Sequence, residues 1–278
     1  MNASTGLSPY RAAVAALAAF LALGAAACGS SASSGTAASS ASASPSGAQG
    51  SPDSGDGGLV LRVRDGGGFA PRPASGLPLY SLYGDGTLVS VRSSEASSRQ
   101  APLPAPRVAR LSSGQLGAVE DAARDAGLGR AGTLGPTPPP DAFTRSYRFG
   151  GALTTTVAPE MRDCAAQHAL CALDERLASL AEPSEPYRYT TLAAVFHETG
   201  KGTSSGAATW PLGDLAGAGE RTGQGRCLLI RGADRERVER AARTAGSQSW
   251  TDGTATYRVV LRPLLPGEKT CADVAGDA

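Results

Sequence analysis

"LPLYSLYGDGTLVSV", residues 77–91, decides how the rest of the chain reads. Two runs that alternate apolar and polar residues flank Gly84-Asp85-Gly86, whose residues tolerate positive φ, so the stretch is a β-hairpin. Upstream, "GLVLRVRDGGGFAP" (58–71) alternates from Leu59 to Arg64 and stops on three glycines, the pattern of a strand and a turn. Downstream, "SSGQLGAVEDAARDAGLG" (112–129) opens with a serine cap and places Leu116, Val119, Ala123 and Ala126 on one face before Gly127. That is a short amphipathic helix.

The same alternation of elements continues to the end of the chain. "FTRSYRFGGALTTTVA" (143–158) reads as strand, Gly-Gly turn and strand, and a second helix holds Leu170, Leu173, Leu177 and Leu180 on one face before Pro183. "YRYTTLAAVFHE" (187–198) is another strand, and "RCLLIRG" (226–232), "DRERVERAARTAG" (234–246) and "TATYRVVLRPLLP" (254–266) form a strand–helix–strand closure. The expected class is α+β: a largely antiparallel sheet with two to three helices packed on one face. "VEDAARDAG" (119–127) and "VERAARTAG" (238–246) agree at seven of nine positions. Read as a duplicated strand–helix–strand unit, they predict two related halves sharing one sheet; read as similar amphipathic helices, they predict only a common packing face.

The amino-terminal end gives an address. Arg11 and the terminus supply positive charge, and "AAVAALAAFLAL" (12–23) is an apolar core too short for a lasting span, which needs roughly 20 residues. Small residues and then Cys28 follow. The segment resembles a bacterial lipoprotein signal, in which a lipobox ends on the cysteine that becomes the first mature residue; it departs from the usual pattern at Ala25, where leucine is more common. The resemblance implies a diacylglyceryl thioether, and fatty acids such as palmitate, on Cys28. A plain cleaved secretion signal is the alternative. Residues 29–57 carry almost no bulky apolar side chain, so they cannot offset the entropy of ordering and form a flexible tether. The division is therefore 1–27 signal peptide, 28–57 lipidated cysteine and tether, and 58–278 a single extracytoplasmic domain.

The 278-residue chain has a formal net charge of +1, and removal of the signal segment, which holds Arg11 and no acid, leaves it formally neutral. Neutrality argues against a nucleic-acid partner and against electrostatic membrane binding. Apart from Cys28, four cysteines remain: Cys164, Cys171, Cys227 and Cys271. An even number in an exported chain reads as two disulfides with three possible connectivities, of which Cys164–Cys171 with Cys227–Cys271 is preferred. Seven residues of unbroken helix separate two α-carbons by about 10.5 Å, past the roughly 7 Å limit for a bridge. That pairing therefore needs a helix that begins only near Cys171; otherwise these cysteines pair elsewhere. A zinc site is the competing reading, but the spacings do not resemble C-x₂-C and only His168 and His197 could help. No cofactor is expected.

"GGFAP" (67–71), "LPLYSLYGDGTLV" (77–89) and the closing "YRVVLRPLLPGE" (257–268) ahead of a cysteine resemble a group of uncharacterised actinobacterial cell-surface lipoproteins. The similarity covers most of residues 58–271 and implies a fold and an address, the outer face of the cytoplasmic membrane, but no catalytic residue.

Candidate chemistry is sparse. "GTSSG" (202–206) fits G-x-S-x-G with Ser204 as nucleophile, but both histidines precede it and "AATWPLG" starts no helix, as a nucleophile elbow requires. "GLGRAG" (127–132) fits G-x-G-x-x-G but follows a helix instead of opening one, so it reads as a helix stop. His197 and Glu198 are adjacent on a strand and point to opposite faces. Trp210 and Trp250 fall in loops by this reading, where they either contact a ligand or plug the ends of a sheet. Arg62, Arg64, Arg148, Arg258 and Arg262 recur on strands, lining a solvated face or binding an anionic cell-wall polymer. The function expected is a non-catalytic binding or interaction module anchored through Cys28. Its partner would be an envelope protein or polymer. A Ser204 hydrolase and a structural or regulatory partner of an envelope system are the alternatives.

Overall fold

The structure, a computed structural model, describes residues 57–67, 76–91, 103–223 and 225–275. The signal segment, Cys28 and all of the tether except Gly57 lie outside the described residues.

The hairpin at the centre of the sequence forms β2 (Tyr80–Tyr83) and β3 (Thr87–Ser90), paired from Tyr80↔Ser90 to Leu82↔Leu88. Of the two turn glycines only Gly86 takes positive φ, at 79°. A Cβ there would stand 2.4 Å from the Leu111 carbonyl oxygen, so both the backbone and the space require glycine. On one side the hairpin pairs with β1 (Leu59–Gly67), and on the other with a strand the sequence did not announce, β4 (Arg107–Arg110).

Helix α1 (Ser113–Asp125) starts on a capping box. The Ser112 hydroxyl accepts from the Gln115 N–H, and the Gln115 side chain accepts in turn from the Ser112 N–H. β5 (Gly132–Thr133), β6 (Phe143–Phe149) and β7 (Ala152–Val157) follow, the last two joined at Gly150-Gly151, both with positive φ as a two-residue hairpin turn needs. Helix α2 (His168–Leu180) and β8 (Glu185–Pro186) complete the first half.

The second half runs β9 (Thr191–Lys201), β10 (Ala208–Thr209), β11 (Glu220–Thr222), β12 (Gly225–Arg231), α3 (Gly232–Thr244), β13 (Ser249–Thr251), β14 (Ala255–Pro263) and α4 (Cys271–Ala275).

The class is α+β and the pairing mostly antiparallel. The strands do not share one sheet, however. Among the described residues they divide into an eight-stranded sheet, β5-β7-β6-β1-β2-β3-β4-β8, and a six-stranded one, β10-β13-β14-β9-β12-β11. Helices α1 and α2 cover one face of the first, where Leu116, Val119, Leu173 and Leu177 meet Leu61, Leu82 and Tyr147. Helix α3 covers one face of the second, with Val238 and Ala242 against Phe196, Tyr257 and Val259. The two similar helix segments thus occupy equivalent positions on different sheets. Each lies between two strands running in the same direction, β4 and β6 or β12 and β14, with a short strand running the opposite way, β5 or β13, directly after the helix. Three strands intervene in the sheet between β4 and β6 and one between β12 and β14.

The carboxyl-terminal segment packs on both remaining faces. Leu264, Cys271 and Val274 lie on the far face of the second sheet with Ala193 and Val195. Leu265 joins Tyr83 and Val89 of the hairpin, with Tyr187 packed beside them. Disulfides join Cys227 to Cys271 and Cys164 to Cys171, each with α-carbons 5.8 Å apart. The second is feasible because α2 begins only at His168, so Cys164 lies before the helix and not on it.

Candidate functional site

Three strand ends meet at one end of the second sheet. β9 begins at Thr191 opposite Arg231, the last residue of β12, and Pro263, the last of β14, pairs with Leu192. The chain then turns back through Pro266-Gly267, closed by the Glu268 N–H donating to the Leu265 carbonyl at 3.0 Å. Residues 187–189 run alongside. The Tyr187 hydroxyl donates to the Leu264 carbonyl at 3.1 Å, and the Tyr187 N–H donates to the Pro106 carbonyl at 2.9 Å, which fixes this wall from both sides. Tyr187 and Tyr189 stack with ring centroids 6.4 Å apart, and Arg235 of α3 sits 5.5 Å over the Tyr189 ring.

Between these walls lies a cleft of about 360 Å³, within the size range of small-ligand sites. Arg188, Arg231 and Lys269 line it. The Arg231 Nε donates to the Thr191 hydroxyl at 3.1 Å, and its two terminal nitrogens meet no acceptor among the described residues. Arg188 is exposed and makes no hydrogen bond or ion pair to a described residue. Lys269 lies in the field of Asp273, whose carboxylate accepts the Lys269 and Thr270 N–H groups and is held below the usual carboxylate range chiefly by them. Helix α3 starts immediately after Arg231 with no side chain capping its first N–H groups, which adds positive potential at this end.

The one acid in the lining is occupied elsewhere. The Glu268 side chain is 5% exposed, and its Oε1 accepts from Arg62 at 3.5 Å and from Arg262, while Oε2 accepts the Leu265 N–H at 2.8 Å. Arg62 belongs to the first sheet and Arg262 to the second, so this carboxylate ties the two together. Its charge does not offset the cations at the mouth of the cleft.

The residues singled out in the sequence are largely elsewhere. Trp210 and Trp250 are not exposed loop aromatics available to a ligand. Both are buried, Trp250 lies on β13, and their rings meet edge to face with centroids 5.4 Å apart. They fill the core under α3, where a ligand in a surface site would not reach them. The strand arginines do not form a solvated row either. Arg62 and Arg262 are buried on Glu268, because charged side chains this deep are retained only where a carboxylate and carbonyls meet them. Arg258 reaches Gln248, and Arg64 donates to the Gly76 carbonyl.

Ser204 is exposed in a turn that leads into β10, with no helix behind it, and its N–H donates to the Thr256 hydroxyl. A nucleophile elbow is not built there. His197 and Glu198 are both exposed, on the part of β9 that continues past its pairing with β12 and stays paired with β14, and His168 is exposed at the start of α2. Gly127 carries positive φ just past α1, so "GLGRAG" is a helix stop. Cys28 lies outside the described residues.

The cleft residues Arg188, Arg231 and Lys269 were not selected from the sequence. The available signal was the Tyr-Arg-Tyr run at 187–189, two rings bracketing a cation immediately before an apolar strand. What joins it to Arg231 and Lys269 is long-range strand pairing. Comparison of the chain with protein-family models, with curated proteins and with solved structures gives no match.

Proposed function

We propose that the protein is a lipoprotein of the cell envelope, anchored through Cys28 on the outer face of the cytoplasmic membrane, which binds an envelope component and does not transform it. A single observation supports the binding reading: the cleft gathers Arg188, Arg231 and Lys269, donors suited to holding an anionic acceptor, beside hydroxyl groups. The envelope address is supported by the signal-like segment ending at Cys28 and by two disulfides, which persist in oxidising compartments. Two or more acyl chains, at about 0.8 kcal/mol per buried methylene, would give lasting attachment where one is marginal.

The test is intact-mass analysis and fractionation of the chain expressed in an actinobacterial host. The wild-type protein is expected in the membrane fraction with fatty-acyl mass added, and Cys28→Ala is expected to lose both. An unacylated wild-type product, or a reduced one in the cytosol, overturns the address. A fluorophosphonate probe is expected to leave Ser204 unlabelled, and stoichiometric labelling lost in Ser204→Ala would replace binding with hydrolysis.

A further inference from the structure

We propose that the cleft between residues 187–191 and 264–269 is a binding site for a phosphate ester carried on a soluble or polymeric polyol. The proposal rests on the binding reading above and names its ligand class.

Charge comes first. Arg188, Arg231 and Lys269 reach the cleft from three separate segments, and the only carboxylate in the lining is held by two buried guanidiniums. Arg231 is oriented by its Nε–Thr191 bond, so both terminal nitrogens stay available. A positioned guanidinium with spare donors is the side chain best matched to an oxyanion.

Phosphate fits better than carboxylate on geometry. A carboxylate offers one planar edge and suits a single fork, whereas the oxygens of a phosphate ester are spread tetrahedrally and take donors from several directions. Here the cations come from three separate segments of the chain, and the Thr190 and Thr191 hydroxyls line the same cleft. Tyr187 and Tyr189 add stacked ring surface to one wall, suited to the carbon skeleton of a polyol.

A lipid surface is the weaker source of the same group. Among the described residues, the exposed large apolar side chains, Phe143, Leu153 and Met161, do not line the cleft, so none of them would carry it into a bilayer. The site is also concave and small, whereas electrostatic membrane binding uses clusters of basic residues over an open face.

The experiment is titration calorimetry on the full lipidated chain in neutral detergent micelles at low salt. The probes are inorganic phosphate, glycerol 3-phosphate, a glycerol-phosphate oligomer and galacturonate, with phosphatidylglycerol vesicles as a further arm. The expected result is saturable binding of glycerol 3-phosphate and tighter binding of the oligomer. Affinity should fall at least tenfold in Arg231→Gln and in Arg188→Gln. It should be unchanged in Arg240→Gln, an exposed arginine of α3 that does not line the cleft. Thermal melts of each variant separate lost binding from lost folding.

Preference for galacturonate over glycerol 3-phosphate overturns the phosphate assignment and leaves a binding module with a cationic cleft. Binding to phosphatidylglycerol vesicles without binding to the soluble esters overturns it in favour of a lipid surface. Equal affinity in wild type and both cleft variants places the site elsewhere and overturns the proposal. No binding of any anion overturns it as well, and removes the support for the cleft as the binding site.

Discussion

Glu268 and Asp85 show how far burial changes the weight of an ion pair. Asp85 meets Arg110 at 3.2 Å with both side chains more than half exposed, and such pairs contribute about 0–1 kcal/mol. Glu268 lies between Arg62 and Arg262, and removing one member of a buried ionic group costs about 3–5 kcal/mol because the remaining charges lose their compensation. Urea denaturation should therefore show Glu268→Gln destabilised by several times more than Asp85→Asn. Equal shifts in midpoint would mean that the Arg62–Glu268–Arg262 contact carries no weight. An arginine in an alternating strand looks outward-facing until its carboxylate is known, and for Arg62 that partner is distant in the chain. That carboxylate lies 206 residues from Arg62.

Local chemistry governs single elements, and the elements read correctly are those with local signals. The capping box at Ser112, the Gly150-Gly151 turn and Gly86 in the hairpin all act within a few residues. Ser112→Ala should cost about 1 kcal/mol. Gly86→Ala should cost more, since it meets both positive φ and the Leu111 carbonyl; a fall in melting temperature smaller than that of Ser112→Ala would contradict this. The disulfides differ in reach. The Cys227–Cys271 bridge closes a loop with a sequence separation of 44 and the Cys164–Cys171 bridge one of 7. In the chain-entropy account these contribute about 4 and about 2.5 kcal/mol. Replacing Cys227 and Cys271 by serine should give the larger loss of stability, measured by denaturation. It should also release the segment that carries Glu268. The sequence does not announce β5, β8, β10, β11 and β13, which span two or three residues each, too short to show a period; Trp250 lies on one of them, β13.

At the scale of the molecule, the segment after β14 holds the two sheets together through Leu265, Glu268 and the Tyr187–Leu264 hydrogen bond. Its surroundings give a pH signature. Burial beside this segment pushes the Tyr83 hydroxyl up to about 12 from 10.0, with Arg62 opposing the shift. The folded state thus holds its phenolic proton at a pH where the unfolded chain has begun to release it. The associated stability is complete below pH 10 and is lost as pH rises from there through about 12. Denaturation from pH 8 to 11.5 should show stability falling above pH 10. In Tyr83→Phe that decline should be shallower, and an identical slope would remove Tyr83 from the cause.

The sequence by itself determined the types of the longer elements, the faces of the three longer helices, the hairpins and the α+β class, because periodicity, caps and turn residues act over a few positions. Tertiary structure alone decided that the strands divide between two sheets, that Trp210 and Trp250 pair inside one core, and that Arg188, Arg231 and Lys269 border a single cleft. Those outcomes depend on which strand edges meet and which charges find partners across tens to hundreds of residues. Such pairings are selected by packing and desolvation over the whole chain and leave no local pattern.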